Sequence, residues 1–394
     1  MKKFIYLCGM MLLSLNMMAQ IDVNDKNWKR VFSDSFSDSG RSWVNWISFP
    51  DKKWRGYSGS GVTGGITEYQ VYQYSNCLFF PDEGTIKLMA EYCDTIWKNT
   101  YPLPGWMNNN YPPSDHLFYF SGEIDARKDS IIGQDTRFLY GYFEIRCKLP
   151  QHPGTFPAFW LHAARRDTID LSNNYYEEID IFEHSRGLLH TNHHWPGYIP
   201  PPESDSARVF STGIYHNLTG VHPNFDTESF ARNFHLVPPS NNDLSDWHIF
   251  SCEWMPDHVC WYFDGNMVNG YYCQEHIPRH GMTLKANYAI NKWAIDNNTG
   301  QPIWKGSDVM VIDYIRAYQL EWDCDTEVTI TCQADLDNFD FKVKKSVEIA
   351  SSYEEVEIEN AEKVTFRIAD AFKITGPFHV ENGSEFTVIL QECP

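Results

Sequence analysis

Short runs that alternate between apolar and polar residues recur along the chain, separated by clusters of Gly, Pro, Asn and Asp. Period-two alternation of β-branched and aromatic residues is typical of half-buried strands. Runs of this kind cover residues 69–74, 85–91, 141–149, 178–183, 250–254, 259–263 and 310–318. No window carries a long helical stripe with caps. The pattern therefore predicts an all-β sandwich of roughly three hundred residues.

The C-terminal segment differs from the rest of the chain in composition. All 14 Trp residues lie between Trp28 and Trp322, and residues 325–394 hold 15 acidic but 6 basic side chains. Short alternating runs continue there at 347–349, 356–358, 364–366, 372–374, 378–380 and 386–388. Because composition shifts at domain boundaries, we divide the chain into a large β domain (20–322) and a small C-terminal β-rich accessory domain (323–394). The strand spacing in the small domain fits a small β-sandwich and a short β-solenoid equally.

The N-terminal residues have the pattern of a targeting signal. Lys2 and Lys3 precede a short apolar core, and Ala19 is a small residue at a cleavage point. Residues 1–19 are therefore predicted to be a signal peptide of a bacterial protein that is secreted, periplasmic or at the cell surface. The apolar core is too short to span a membrane and no later run is longer, so we expect no transmembrane segment.

Charge and cysteine content narrow the function classes. The formal net charge is −20, which argues against nucleic acid as a partner because phosphate contacts need a basic surface. Aromatic residues make up 15% of the chain, which fits stacking on sugar rings as well as a bulky core. No C-x-x-C spacing occurs, which disfavours a cysteine zinc site. Disulfides are expected in an exported protein, but the sequence does not give their pairing.

Three acids lie close together in residues 176–184. On a strand, Glu178 and Asp180 project from one face, whereas Glu183 has the wrong parity to join them. A β-bulge between Asp180 and Glu183 restores the parity and turns Phe182 inward. Three converging carboxyl groups keep one acid protonated while another attacks, which is the arrangement of a catalytic site. The alternative is a solvated acidic edge, which the alternating apolar residues such as Ile179 disfavour.

Other motifs carry less weight. His190, Asn192 and His194 share one face of a predicted neighbouring strand. These histidines favour hydrogen bonding to the acids over metal binding, because their spacing lacks a familiar ligand geometry. Residues 59–64 match G-x-G-x-x-G, but an aromatic strand rather than a helix follows, which disfavours a nucleotide site. No G-x-S-x-G elbow is present.

The acid segment, Glu178-Ile179-Asp180-Ile181-Phe182-Glu183, resembles the bulged E-x-D-x-x-E signature of glycoside hydrolase family 16. Further segments resemble this family in the same order: 140–146 its strand before the cleft, 156–161 its proline-aromatic segment, 252–265 its following hairpin and 311–319 its closing strand. The resemblance spans residues 31–320. Residues 33–36 depart from the usual D-E-F, and the C-terminal domain lies outside the match.

This resemblance implies a jelly-roll β-sandwich, concanavalin A-like, with a long polysaccharide-binding cleft. It implies a secreted, endo-acting, retaining β-glycosidase in which Glu178 is the nucleophile, Glu183 the general acid/base and Asp180 the residue between them. A non-catalytic carbohydrate-binding protein on the same sandwich is the alternative. No cofactor is required, although some relatives carry a structural calcium on the convex side near the residue that matches Asp313.

The resemblance also implies substrate-binding residues. Trp160 matches the platform near the cleaved sugar, and His194 and Trp195 match a His-aromatic pair in which His194 assists Glu183. Asn287 matches a cleft-facing asparagine. Trp254 and Trp261, by contrast, are assigned to the core.

The substrate is the least determined feature. Residues 68–72 read E-x-Q-x-Y, which resembles laminarinase-like members and favours β-1,3-glucan. The insertions at 101–116 and 200–233 have no assignable counterpart, so a β-galactan, as in agarase-like members, stays open. The C-terminal domain lacks the Trp platform of a sugar-binding module, which favours a spacer or a partner-docking unit. We expect a monomer.

Overall fold

The computed structural model describes residues 25–37, 47–48, 70–72, 74–98, 114–126, 137–165, 175–185, 188–195, 210–217, 220–221, 244–272, 274 and 277–394. The predicted signal peptide and the glycine-rich segment 59–64 lie outside these residues, as do most of the two insertions.

The described strands, in chain order, are β1 (Trp28–Asp34), β2 (Ile47–Ser48), β3 (Gln70–Tyr72), β4 (Cys77–Phe80), β5 (Thr85–Lys98), β6 (Ser114–Ser121), β7 (Glu123–Asp125), β8 (Arg137–Phe138), β9 (Gly141–Lys148), β10 (Thr155–Arg165), β11 (Tyr175–Ser185), β12 (Leu188–Trp195), β13 (Phe210–Asn217), β14 (Gly220–Val221), β15 (His248–Trp254), β16 (Val259–Phe263), β17 (Asn266–Tyr271), β18 (Met282–Ile290), β19 (Ser307–Leu320), β20 (Trp322–Ile330), β21 (Val343–Ile349), β22 (Val356–Ile358), β23 (Lys363–Ile374), β24 (Phe378–Val380) and β25 (Glu385–Leu390). Short 3₁₀ turns span Tyr74–Asn76, Pro81–Glu83 and Lys292–Ala294, and α1 spans Gln333–Asp337. Every run predicted as a strand overlaps one of these strands, but the separate runs 364–366 and 372–374 are parts of the single strand β23.

Two large sheets build the N-terminal domain. Sheet I has the order β17-β16-β15-β9-β19-β5-β6-β3, with β1 beside β19 and β4 beside β5. Sheet II has the order β14-β13-β12-β11-β10-β18-β7-β2, with β8 beside β18. The inward residues of both sheets form one core, in which Phe182 of sheet II lies 4.4 Å from Phe250 of sheet I, between ring centroids. The predicted all-β jelly-roll sandwich is confirmed.

The C-terminal domain is a short β-solenoid. Strands β20, β21, β23 and β25 pair in that order as a parallel sheet, and β22 pairs in parallel with β24. Parallel neighbours that follow each other along the chain are successive coils of a solenoid, whereas a small sandwich uses antiparallel strands. The domain has its own apolar core, which includes Ile330, Val347 and Phe366. No helix in the described residues is long and apolar enough to cross a membrane.

The solenoid packs against the outer face of sheet I. Trp28, Tyr142 and Tyr262 of the sandwich share an apolar cluster with Val343 of β21. Asn27 Nδ2 donates to the Thr365 backbone oxygen at 2.8 Å. A disulfide between Cys324 and Cys393, 69 residues apart, ties the end of the chain to the first coil. The small domain is therefore docked on the side of the sandwich opposite sheet II.

Candidate active site

A β-bulge lies in the middle of β11, where the sequence predicts one. Phe159 pairs with Phe182 and Trp160 with Asp180, so β11 carries one extra residue there. The same shift appears against β12, between Asp180 and Glu183. Because of the bulge, Ile181 and Phe182 both face the core, with exposures of 2% and 0%. The residue after them, Glu183, returns to the outer face of sheet II.

The bulge brings the three acids into one row on the outer face of sheet II. Glu178 and Glu183 are half-buried and Asp180 is buried. Each acid has one neighbour on β10 and one on β12. The register gives the rows His162–Glu178–His194, Trp160–Asp180–Asn192 and Ala158–Glu183–His190. On the β10 side, Glu183 has the small Ala158 as its neighbour, whereas Asp180 and Glu178 have the larger Trp160 and His162.

The described contact to Glu183 comes from an asparagine. Asn192 Nδ2 donates to Glu183 Oε2 at 3.1 Å, which holds the carboxylate by a bond from the next strand. The resemblance implies that His194 assists Glu183, and this role stays a prediction; the register places the His194 backbone across from Glu178. The side chains of His194 and Trp195 lie outside the described residues. The sequence placed Asn192 on the correct face but did not assign it a function.

Trp160 is fixed in orientation on the face that bears the acids. Its indole Nε1 donates to Asn287 Oδ1 at 2.7 Å, and Lys285 Nζ lies 4.6 Å from its ring centroid. Lys285 Nζ is also 3.6 Å from Asp125 Oδ2, and both side chains are almost fully buried. The Lys285 ammonium, balanced by Asp125, lies against the ring, and Asn287 accepts the indole proton. These two contacts leave the half-exposed indole little rotational freedom. Lys285 was missed, although it lies two residues from Asn287 on the same strand face.

A histidine lies beneath this face, directly after Glu183. His184 is 6% exposed, and its Nδ1 has no hydrogen-bond partner among the described residues. Burial, with a smaller contribution from His190, lowers the pKa of His184 to about 4. The ring is therefore neutral at physiological pH.

A second titratable cluster lies on the outer face of sheet I, under the solenoid. Tyr262 Oη donates to Glu253 Oε2 at 3.1 Å, and His258 Nδ1 lies 2.8 Å from Asp257 Oδ1. Burial opposes charge on the His258 ring, but its bonds to Asp257 and Glu253 outweigh burial and raise its pKa to about 9. Burial likewise opposes charge on Glu253, yet the interaction with His258 leaves its pKa below the ordinary value. This cluster lies on sheet I and does not face the acids, which lie on sheet II.

The structural calcium near Asp313 stays a prediction. Asp313 is paired with the guanidinium of Arg146, so its charge is already balanced. Within the described part of the chain, no group of three or more His, Cys, Asp or Glu side chains is arranged to hold a metal ion.

Comparison with known proteins gives a family match. The family model described as "Glycosyl hydrolases family 16" matches residues 114–315, slightly more than half of the 394 residues. The matched range includes the acid row, Trp160 and Asn287.

The matching proteins include glucan-degrading enzymes. The endo-1,3-1,4-beta-glycanase ExsH of Rhizobium meliloti is 28% identical over 47% of this chain and 31% of that protein. The glucan endo-1,3-beta-glucosidase A1 of Niallia circulans is 27% identical over 56% of this chain and 31% of that protein. The chain therefore spans about a third of the length of these relatives. Among solved structures, the laminarinase catalytic domain from Thermotoga maritima is 24% identical, covers 76% of this chain and 100% of that one, and has a TM-score of 0.49.

Proposed function

This chain belongs to glycosyl hydrolases family 16, and from that premise we propose that it is an endo-acting β-glycoside hydrolase that cleaves a polysaccharide by double displacement. The observation that carries the proposal is the bulge in β11, which puts Glu178, Asp180 and Glu183 on one face of sheet II. A retaining glycosidase needs two carboxyl groups that flank the scissile glycosidic bond and lie about 5–5.5 Å apart. A row of acids on a single strand provides such closely spaced groups.

Each acid has a defined role in this proposal. Glu183 protonates the departing glycosidic oxygen while the Glu178 carboxylate attacks the anomeric carbon, which forms a glycosyl-enzyme and releases the leaving sugar. Glu183, now ionised, takes a proton from water, and the water oxygen displaces Glu178 from the same face that the leaving group left. Asp180 lies between the two and influences the order in which they are protonated. Two inversions at one carbon give net retention, and no cofactor enters either step.

The proposed substrate is a β-glucan with β-1,3 linkages. By its name, the Niallia circulans relative acts on a β-1,3-linked glucan and the Rhizobium meliloti relative on a β-1,3-1,4-linked glycan. Segment 68–72 also resembles laminarinase-like members. Trp160, held by Asn287 and Lys285, provides a flat surface on which a sugar ring stacks. A β-galactan is the second substrate class to test.

We further propose that the protein acts outside the cytoplasm, as a monomer. The Cys324–Cys393 disulfide supports that location, because such bonds persist in oxidising compartments. The N-terminal pattern of residues 1–19 is the other support.

Reducing-sugar release from a glycan panel tests the proposal. The panel contains laminarin, mixed-linkage β-glucan, agarose and κ-carrageenan, and the matched control is Glu178→Gln, which keeps side-chain size but removes the nucleophile. We expect release of medium-length oligosaccharides from a β-glucan by the wild type and none by the variant. Binding to a glycan without release supports a carbohydrate-binding protein instead and contradicts the proposal.

A further inference from the structure

A polar link crosses the core of the sandwich directly beneath the bulge. Trp261, on β16 of sheet I, donates its indole Nε1 proton to the backbone oxygen of Asp180, on β11 of sheet II, at 2.9 Å. Trp261 is fully buried. Asp180 is the residue at which the bulge begins, so the bond from the opposite sheet meets the strand where its regular pairing is broken.

A second hydrogen bond joins the two sheets next to the first. Asn269 Nδ2, on β17, donates to Thr191 Oγ1, on β12, at 3.1 Å, and both residues are buried. Asn269 is the β17 partner of Trp261. Thr191 lies between the β12 residues that pair with Asp180 and Glu183, so it faces the bulge. Two neighbouring residues of sheet I, Trp261 and Asn269, therefore bond to the two strands that meet at the bulge, β11 and β12.

The side on which Glu183 projects depends on the bulge. If the same sequence paired without a bulge, β11 would continue with strict alternation. The Glu183 side chain would then turn toward the core and Phe182 would turn outward. A bulge disrupts the local hydrogen-bond ladder, so it needs support from outside the sheet. The indole N–H supplies that support, because losing it leaves the buried Asp180 oxygen without this donor.

We propose that Trp261 is a positioning residue, whose indole N–H holds the β11 bulge and thereby keeps Glu183 on the same face as Glu178. The inference rests on the proposed function for its effect on turnover, but its structural content is independent of any substrate. Trp261 touches no reacting atom and acts only through the backbone of Asp180.

A matched pair of variants separates this role from general core packing. Trp261→Phe removes the indole N–H and keeps an aromatic ring. Trp304→Phe makes the same change at another buried Trp of the same core, whose Nε1 also donates to a backbone oxygen, that of Pro153, at 2.9 Å. A third form replaces Trp261 by β-(3-benzothienyl)alanine, which keeps the bicyclic shape and has sulfur in place of N–H. This form tests the donor even where the smaller Phe impairs folding.

Two measurements are made on all forms. Amide hydrogen exchange of peptides within 175–185, read by mass spectrometry, reports the order of the bulge without a substrate. We expect exchange roughly tenfold faster in both Trp261 forms than in Trp304→Phe, because one buried donor is lost. On the glycan that the wild type cleaves, we expect kcat of the Trp261 forms to fall about ten- to a hundredfold, with KM changed less than about threefold.

The outcomes separate the structural role of Trp261 at the bulge from its effect on turnover. Equal exchange at 175–185 in the Trp261 forms and Trp304→Phe overturns the inference, whatever the activity. Faster exchange with unchanged kcat overturns the catalytic consequence. A wild type that cleaves no glycan refutes the proposed function, and the exchange comparison then still decides whether Trp261 holds the bulge.

Discussion

Breaking the disulfide between Cys324 and Cys393 should destabilise the solenoid while leaving the acid row intact. The bond closes a loop of 69 residues, which includes nearly all of the C-terminal domain. In the chain-entropy model, a loop of that length restricts the unfolded chain by about 4 kcal/mol at 25 °C. The double variant Cys324→Ser/Cys393→Ser should therefore lower the free energy of unfolding of the solenoid by about 4 kcal/mol.

The assay is amide exchange of peptides from 343–390 under conditions in which exchange reports global opening of the solenoid. Cys332→Ser is the matched control, because Cys332 is a free, half-buried cysteine in the same domain. The control should stay within about 0.5 kcal/mol of the wild type. Turnover at 25 °C should be unchanged in both, since the solenoid packs on sheet I and the acids lie on sheet II. A double variant as stable as the control refutes the reasoning.

Three further outcomes follow from single contacts. Asn192→Ala removes the amide that donates to Glu183, so kcat/KM should fall about tenfold in steady-state assays, and an unchanged value contradicts the role given to Asn192. The raised pKa of His258, about 9, contributes stability that is complete below pH 6.5 and is lost as pH rises toward 9. In thermal melts, His258→Gln should therefore lose less stability than the wild type over this pH range. An equal loss in both proteins contradicts the role given to His258. The lowered pKa of His184, about 4, means that stability is lost as pH falls from 6.5 toward 4, because only the unfolded chain takes up the proton; melts of His184→Gln should lack that loss.

Much of the fold and of the acid row follows from alternation alone. The parity conflict at Glu183 predicts the bulge, because a signature with two residues between Asp180 and Glu183 cannot otherwise present both carboxyl groups on one face. Apolar alternation likewise locates several strands in each domain. It does not tell parallel from antiparallel pairing in the small domain, since the side-chain period is two in each case.

The sequence did not predict the hydrogen bonds between side chains and atoms of different strands. The hydrogen bond from Asn192 to Glu183 depends on the register between β11 and β12, which the bulge shifts by one residue. The assignment of Trp261 to the core is confirmed. Its bond to the Asp180 oxygen depends on how the two sheets face each other, which no local pattern encodes.

The central claim, that Glu178 attacks and Glu183 moves the proton, is tested most directly by azide rescue. Glu183→Ala should still form its glycosyl-enzyme from an aryl β-glycoside with a low-pKa phenol, because that leaving group needs little protonation. It should then stall, since no base activates water, and added azide should restore turnover by displacing Glu178 and forming a β-glycosyl azide. Glu178→Ala has no nucleophile and should give no β-azide from the same substrate. Proton NMR of the azide product decides the matter: a β-azide from Glu183→Ala agrees with the account, whereas a β-azide from Glu178→Ala instead reverses the two roles.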